Sequence, residues 1–169
     1  QEAQAKAEAY EQVFTDAAAF EEVEMDDTLI QTIRDQLDQE GYKAQSIEEV
    51  MRAEDQSGET LGYAFTVVTS EGYGGDIQFS MGVQNDGTLN GISILSIGET
   101  AGLGMNADTP AFKDQFVGKQ VEKLQYTKNG ATQDDEINAI SGATVTTNAM
   151  TNGVNAGLCA FRVMEGGDQ

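Results

Sequence analysis

Apolar residues recur at helical spacing near both ends of the chain and alternate with polar residues through its middle. At the first end, Ala, Glu and Gln predominate over residues 2–22, where Tyr10, Val13 and Phe14 form an apolar stripe. This combination of helix-forming residues and helical spacing predicts a first helix.

A second helix is predicted over residues 27–39, because Ile30, Ile33 and Leu37 fall on one helical face. Gly41 is expected to end it, since glycine readily takes the left-handed conformation that closes a helix.

Three segments in the middle of the chain have strand character. Residues 61–70, 75–84 and 87–98 are rich in β-branched and aromatic side chains and show partial alternation. The sequence Asn-Asp-Gly at residues 85–87 supplies turn chemistry between the second and third segments. An antiparallel meander is therefore predicted.

Shorter elements are predicted to follow the meander. A helix should begin near Pro110, with Thr109 as its N-cap and with Phe112 and Phe116 facing inward. A further strand is predicted over residues 121–126.

The last helix is predicted to start near Val145. It carries a core-facing apolar stripe and, beside it, a stripe of small residues at which another backbone can approach closely. The core-facing residues are Met150, Val154, Leu158 and Phe161, and the small residues are Ala149, Gly153, Ala156 and Ala160.

Together these elements predict an α+β fold, with an antiparallel β-sheet packed by helices and an N-terminal helical arm. We assign residues 1–58 to the arm and its lead-in, and residues 59–169 to the main domain. A chain of 169 residues suits one compact domain with such an arm.

The charge balance excludes one class of partner. The chain has 29 acidic and 9 basic residues, a formal net charge of −20, and residues 1–60 hold 17 of the acidic and 4 of the basic residues. Phosphate backbones repel such a chain, so no nucleic acid is expected as a partner. We interpret the acidic excess as a solvated helical surface.

The residue inventory excludes several kinds of site. Histidine is absent and Cys159 is the only cysteine, so a Ser-His triad, a histidine zinc site and an intrachain disulfide cannot form. No catalytic residue and no metal ligand is assigned. Cys159 is interpreted as a small buried residue of the last helix, the alternative being a reactive thiol.

The sequence contains no apolar run long enough to cross a bilayer. Gln1 stands where an initiating Met would be, and we expect from this that a preceding segment has been removed.

The stretch ISGATVTTNAM, at residues 140–150, places small and hydroxyl-bearing side chains at the start of the last helix. One interpretation is that the hydroxyl groups merely cap the helix. The other is that unpaired N–H groups hold a phosphate there, with a glycine permitting its close approach. From the physics of the stretch both interpretations stay open. The hydroxyl-bearing residues are Ser141, Thr144, Thr146 and Thr147, and the glycine is Gly142.

Residues 141–144, Ser-Gly-Ala-Thr, resemble the motif of the FMN-binding domain found in the G subunit of Rnf complexes and the C subunit of sodium-pumping NADH:quinone oxidoreductases. EGYGGDI (71–77), ETAGLG (99–104) and FKDQFVGK (112–119) resemble other recurrent stretches of that family, in the same order. The resemblance covers about residues 63–164.

The resemblance implies FMN as a covalent cofactor, attached through its phosphate to Thr144, because the motif's last threonine carries the flavin in that family. It also implies that the flavin is lined by three stretches of chain, although a purely structural turn is the alternative for the two glycine-rich loops. The implied residues are Ser141, Gly142, Ala143 and Thr147 at the helix start, Glu99, Thr100, Leu103 and Gly104 in one loop, and Tyr73, Gly74 and Gly75 in the other.

Two positions differ from the usual pattern of the family. Asn138 stands where the family often has an aspartate, three residues before the motif's serine, in the pattern that a flavin transferase reads. Ala101 stands where the family usually has proline.

The function implied by the resemblance is that of an electron-transfer subunit in a membrane-bound, ion-translocating redox complex, of the Rnf type rather than the quinone-reducing type. Its partners would be the other subunits and, for maturation, a flavin transferase. The domain would lie on the extracytoplasmic side of the cell membrane, after a removed N-terminal helix. A self-sufficient enzyme is not expected. The alternatives are the flavin domain of a freestanding extracytoplasmic reductase or surface electron carrier, and a binding module that has lost its flavin.

Overall fold

In the computed structural model, which describes residues 2–167, an antiparallel sheet of five strands has the order β1-β2-β3-β4-β5. Strands that are adjacent in sequence are thus adjacent in the sheet, and the predicted α+β class is confirmed. The strands are β1 (Ala19–Glu22), β2 (Gln45–Glu54), β3 (Thr60–Thr69), β4 (Ile77–Gln84) and β5 (Leu89–Ser96).

Four α-helices, two short 3₁₀ helices (Gly104–Asp108 and Asp114–Phe116) and a small parallel pair of strands complete the described part of the chain. The pair consists of β6 (Gln125–Thr127) and β7 (Glu136–Asn138). The α-helices are α1 (Glu2–Val13), α2 (Asp27–Glu40), α3 (Pro110–Lys113) and α4 (Thr144–Gly167). No helix within residues 2–167 combines the length and apolar character that crossing a membrane requires.

The predicted meander of β3, β4 and β5 is confirmed. The turn between β4 and β5 contains Gly87 at a φ of +90°, a conformation that favours glycine. Asp86 supports this turn, because its Oδ1 accepts the Thr88 N–H at 2.9 Å.

The two faces of the sheet bury different sets of residues, because neighbouring side chains along a strand point to opposite sides. Phe65 of β3 belongs to the main core, to which α2 and α4 contribute. Ala64, the preceding residue, belongs to a smaller core with Tyr10 and Phe14 from α1 and the turn after it. The sheet is therefore covered on both faces.

Both predicted stripes of α4 are buried, and side chains of the sheet, rather than the expected backbone, approach its small residues. A Cβ atom placed on Gly153 would lie 2.8 Å from the Phe79 ring, and one on Gly157 would collide with Met81. Small residues on this helix therefore let it lie directly on β4.

The helix predicted over residues 2–22 is wrong beyond Val13. Residues 19–22 form β1 instead, which pairs with β2 in a register that joins Ala19 to Glu54. Ladder hydrogen bonds to β2 outweigh the helix propensity of this Ala- and Glu-rich segment. The strand β2 itself was not predicted.

The predicted second helix is confirmed as α2. Asp26 caps its start, since its Oδ1 accepts the Leu29 N–H at 2.8 Å, and Gly41 ends it at a φ of +91°. Ile33 and Leu37 are buried as predicted, whereas Ile30 is 48% exposed.

The helix predicted near Pro110 is confirmed, and Phe112 and Phe116 are buried with their ring centroids 5.4 Å apart. The predicted capping role of Thr109 is wrong at the side chain, because its hydroxyl donates to the Asn106 carbonyl at 2.6 Å. The strand predicted over residues 121–126 is shorter than expected and is shifted to β6.

The predicted boundary between residues 58 and 59 falls in the turn that joins β2 to β3. Gly58 takes a φ of +86° in this turn, and the Asp55 N–H donates to the Glu59 carbonyl at 2.9 Å. The sheet is continuous across this position, so residues before it contribute two of the five strands.

Candidate functional site

The start of α4 is closed by hydrogen bonds of its own segment. The Thr147 hydroxyl donates to the Ala143 carbonyl at 2.8 Å and accepts the Ile140 N–H at 3.0 Å. Gly142 lies between them at a φ of +73°, and a Cβ there would stand 3.0 Å from Leu103 Cδ2. The bend before the helix therefore needs glycine both for its backbone angle and for its contact with Leu103.

The first turn of α4 presents N–H groups that have no acceptor within the helix. The ladder begins with the Thr147 N–H, which donates to the Ala143 carbonyl at 3.0 Å. The N–H groups of Thr144, Val145 and Thr146 come before it, at the end of the helix that carries partial positive charge. This end of α4 therefore favours an anion.

Thr144 is the half-buried first residue of α4. Within residues 2–167, no hydrogen bond engages its hydroxyl. The Thr147 hydroxyl braces the bend before the helix but accepts no first-turn N–H of α4, so it is not an N-cap. The Thr144 oxygen is left available for other chemistry.

A cleft of about 640 Å³ opens in front of this helix terminus. Three of its lining side chains are large, apolar and solvent-exposed in part, namely Tyr73 at 75%, Leu103 at 43% and Val145 at 50%. Its volume and apolar walls are typical of sites for small molecules and cofactors. The lining residues are Tyr73, Thr100, Leu103, Gly104, Gly142, Ala143, Thr144, Val145 and Thr146.

Glu99 is buried beside the cleft and bonds to the protein through both carboxylate oxygens. Its Oε1 accepts the Tyr73 N–H at 2.8 Å and the Thr146 hydroxyl at 2.5 Å. Its Oε2 accepts the Gly74 N–H at 2.5 Å. A direct contact between Glu99 and a flavin, as the resemblance implied, would have to compete with these bonds.

The structure brings most of the implied site residues to the cleft, and it places others elsewhere. Ser141 is exposed and lines a neighbouring groove, while Gly75 faces open space. Thr147 is buried and its one hydroxyl proton is already donated to Ala143, so a phosphate contact would require breaking that bond. The implied residues that line the cleft are Tyr73, Thr100, Leu103, Gly104, Gly142, Ala143 and Thr144.

Val145 and Thr146 line the cleft but were not among the residues implied by the resemblance. They follow Thr144 within the first turn of α4, and helix geometry therefore places them at the same end of the helix. The hydroxyl pattern of residues 140–150 signalled Thr146 only as a possible cap.

No lysine or arginine lines the cleft. In the described part of the chain, His, Cys, Asp and Glu form no group of three or more that could hold a metal ion. The electrostatic attraction for an anion therefore comes from the N-terminus of α4.

Asn138, at the end of β7, holds the neighbouring loop in place. Its Oδ1 accepts the Ala131 N–H at 2.7 Å, and its own N–H donates to Gln115 Oε1 at 2.6 Å. An aspartate at this position would offer the same acceptor, so nothing in the local fold demands asparagine.

Comparison with known families and proteins agrees with the chemistry of the cleft. The sequence model of the FMN-binding domain family matches residues 72–158, about half of the chain. All the residues lining the cleft lie within the matched segment.

Curated relatives include the G subunits of two complexes. The chain is 36% identical over 108 residues to the G subunit of the Na(+)-translocating ferredoxin:NAD(+) oxidoreductase complex of Acetobacterium woodii, covering 63% of this chain and 52% of that protein. It is 38% identical over 98 residues to the G subunit of the proton-translocating ferredoxin:NAD(+) oxidoreductase complex of Clostridium ljungdahlii, covering 58% of this chain and 52% of the relative. The chain thus spans about half the length of these relatives.

Two solved structures have a similar fold. NqrC of Shewanella oneidensis superposes with a TM-score of 0.58 at 21% identity, covering 70% of this chain and 59% of that chain. The C subunit of the Na(+)-translocating NADH-quinone reductase of Parabacteroides distasonis superposes with a TM-score of 0.58 at 24% identity, covering 69% of this chain and 62% of that chain. At this identity the likeness concerns the fold alone.

Proposed function

Since the chain belongs to the FMN-binding domain family, we propose that it carries FMN in the cleft before α4, bonded through its phosphate to Thr144, and passes electrons through it. The observation that supports this best is the unpaired Thr144 hydroxyl at a helix N-terminus that opens into the cleft. In this proposal the flavin supplies the redox chemistry, by accepting and releasing electrons.

The groups present in the cleft fit FMN. Apolar surface from Tyr73, Leu103 and Val145 suits a flat aromatic ring system and would shield a ring bound there from water. The N–H groups of Thr144 and Val145 suit the phosphate, and Gly142 leaves room for it to approach the backbone.

The absence of a cation among the lining residues favours a covalent attachment over a reversible one. A phosphate monoester, such as the one in free FMN, carries a charge of about −1.5 to −2 at pH 7. A diester to Thr144 carries less negative charge, and the chain as a whole is strongly acidic. Covalent attachment also keeps the flavin at a high local concentration in the cleft, so that the site need not bind free flavin tightly from solution.

Attachment would join the Thr144 oxygen to the flavin phosphorus, with departure of the group that activates this phosphate and loss of the hydroxyl proton to solvent. We propose that a flavin transferase brings the activated flavin and catalyses this step, because no general base lines the cleft.

We further propose that the natural protein is the G subunit of an Rnf-type complex. The named G-subunit relatives support this assignment. Its partners would be the other subunits of the complex. The domain would lie on the extracytoplasmic side, anchored to the cell membrane by a helix outside residues 1–169.

Coexpression with a flavin transferase tests the attachment. Intact-mass measurement should show the mass of FMN less one water on the wild type and on Thr147→Ser, and no added mass on Thr144→Ala. Peptide mapping should find the adduct on residue 144. An adduct on residue 146 or 147 would refute the assignment.

The alternative function is a freestanding extracytoplasmic reductase or surface carrier, which would use the same cleft. Mixing NADH with the pure flavinylated protein separates a reductase from an electron carrier. An electron carrier should keep its flavin absorption band, because the sequence has no Gly-x-Gly-x-x-Gly motif of the kind that binds dinucleotides. Rapid bleaching by NADH alone would favour the reductase.

A further inference from the structure

The cleft is lined by three segments that are distant in sequence, namely Tyr73, residues 100–104 and residues 142–146. We infer that Glu99 is a positioning residue that joins these segments and holds the cleft in shape before any flavin is attached. We call Glu99 with Tyr73, Gly74 and Thr146 the Glu99 junction. The inference deepens the proposed function and rests on it for the role of the cleft, whereas the contacts that carry it lie within the chain.

The bonds of the Glu99 junction reach both other segments from one side chain. Two run to the N–H groups of Tyr73 and Gly74, at 2.8 and 2.5 Å, and one comes from the Thr146 hydroxyl at 2.5 Å. All three partners donate, and a carboxylate that only accepts is therefore the form that satisfies them. Hydrogen bonds to a charged acceptor are about twice as strong as neutral ones.

The charge of Glu99 is balanced without a basic side chain. None of the ion pairs formed within the described residues involves Glu99, which is only 7% exposed. Thr146 belongs to the first turn of α4, so the carboxylate lies beside the positive end of that helix. The positive end of α4 thus stabilises the buried Glu99 carboxylate on one side and faces the cleft on the other.

Two glycines make room for the junction. A Cβ on Gly104 would lie 2.6 Å from both Glu99 Cβ and Thr146 Oγ1, and a Cβ on Gly74 would lie 2.8 Å from Glu99 Oε2. These positions were implied as flavin contacts by the resemblance. Their packing against Glu99 and Thr146 accounts for both glycines without a ligand.

Amide exchange measured by NMR on the flavin-free protein tests the junction directly. Glu99→Gln keeps the side-chain shape but presents an NH₂ group where one oxygen accepted a bond. Thr146→Val removes the donated hydroxyl, and Thr146→Ser is the matched control that retains it. In the Gln and Val variants the Tyr73 and Gly74 amides should exchange about tenfold faster, while Thr146→Ser should resemble the wild type.

Two results would overturn the inference. One is unchanged exchange at Tyr73 and Gly74 in both Glu99→Gln and Thr146→Val. The other is an equal rise throughout β3 and β4, which would mean that these variants only lower global stability.

The flavinylated proteins provide a second readout. The visible circular dichroism of the bound flavin should change in Glu99→Gln and Thr146→Val and be preserved in Thr146→Ser, since the cleft walls orient the ring. An unchanged spectrum in the first two variants would contradict the positioning role. If the wild type takes up no flavin at Thr144, the proposed function fails, while the exchange experiment still decides the junction.

Discussion

The side chain of Asn155 on α4 hydrogen-bonds both backbone polar atoms of Leu124. Its Oδ1 accepts the Leu124 N–H at 2.7 Å, and its Nδ2 donates to the Leu124 carbonyl at 2.9 Å. Asn155 is 2% exposed, as is Leu124. The amide thus takes the place of a neighbouring strand and fastens the segment before β6 to the helix that carries the candidate site.

We predict that Asn155→Ala lowers the free energy of unfolding by about 3 kcal/mol, because it leaves a buried N–H and a buried carbonyl without partners. Urea unfolding measures this loss. Asn148→Ala, at a half-buried position on the same helix, is the control and should change stability by about 0.5 kcal/mol at most. Equal losses in the two variants would show that the pairing with Leu124 contributes nothing special.

Gly142→Ala should reduce flavin attachment as well as stability. The φ of +73° costs a non-glycine residue about 1 kcal/mol, and the new Cβ would press against Leu103 in the cleft. Gly130→Ala, at a φ of +93° with nothing near its Cβ, is matched for backbone strain. Mass spectrometry after coexpression with the transferase should show reduced attachment for Gly142→Ala and normal attachment for Gly130→Ala.

Asn138→Asp should raise the rate of flavin attachment several-fold, if the transferase reads an aspartate at this position. The new carboxylate can still accept the Ala131 N–H, so stability should hardly change. Asn138→Ala serves as the control that loses this bond and gains no charge. A time course of intact mass measures the rates, and equal rates for asparagine and aspartate would contradict the prediction.

Tyr10→Phe should reveal a pH-dependent contribution from α1. The Tyr10 hydroxyl donates to Glu49 Oε1 and lies 2.6 Å from Thr66 Oγ1. Burial, and then the hydrogen bond to Glu49, raise the pKa of Tyr10 above its ordinary value of 10.0. The folded state therefore favours the neutral hydroxyl, and its contribution is complete below pH 10 and declines at higher pH.

The wild type should thus be about 1–2 kcal/mol more stable than Tyr10→Phe at pH 7, and this difference should shrink as the pH rises above about 10. Urea unfolding across that pH range measures it. Tyr73→Phe, altered at an exposed ring, is the control for general alkaline effects. A constant difference between wild type and Tyr10→Phe would be inconsistent with the buried hydroxyl.

Cys159 should resist alkylation in the native protein. The structure confirms that it is buried, with its Sγ 3.5 Å from Glu40 Oε2. Burial, and then the charge of Glu40, raise the pKa of the thiol to about 12, so little thiolate forms at pH 8. Iodoacetamide should label the protein only in urea, whereas Val145→Cys in a Cys159→Ser background should label in the folded state.

The sequence predicts best where one local signal dominates. Alternation and an Asn-Asp-Gly turn predict β4 and β5, and spacing of apolar residues predicts α4, because each pattern acts within its own segment. In β2 the alternation is broken by a bulge near Glu48 and by the charged side chains of Glu49 and Arg52. Residues 19–22 form a strand only because β2 lies beside them, which no local pattern records.

The same contrast between local patterns and contacts of distant residues applies to the candidate site. The motif at residues 141–144 predicts the helix terminus and the threonine, since both depend on neighbouring residues. The bond between Glu99 and Thr146 joins residues 47 positions apart, and its existence depends on how the loop after β5 folds back onto α4. The resemblance implied Glu99 as a flavin contact. In the structure its carboxylate accepts hydrogen bonds from Tyr73, Gly74 and Thr146 instead, and no local pattern predicts these bonds.

The continuous sheet has a consequence for how this chain can be divided and how it can diverge. The match to the family model begins at residue 72, after β3, so three of the five strands lie outside the matched segment. A fragment limited to the matched residues would expose β4 as a bare sheet edge, open to pairing with other molecules. The first part of the chain has to pair with β4 and to fill the core with apolar side chains. Many different sequences can meet these two requirements. Shared ancestry should therefore be easiest to detect in the half that forms the cleft and should fade in the half that closes the core.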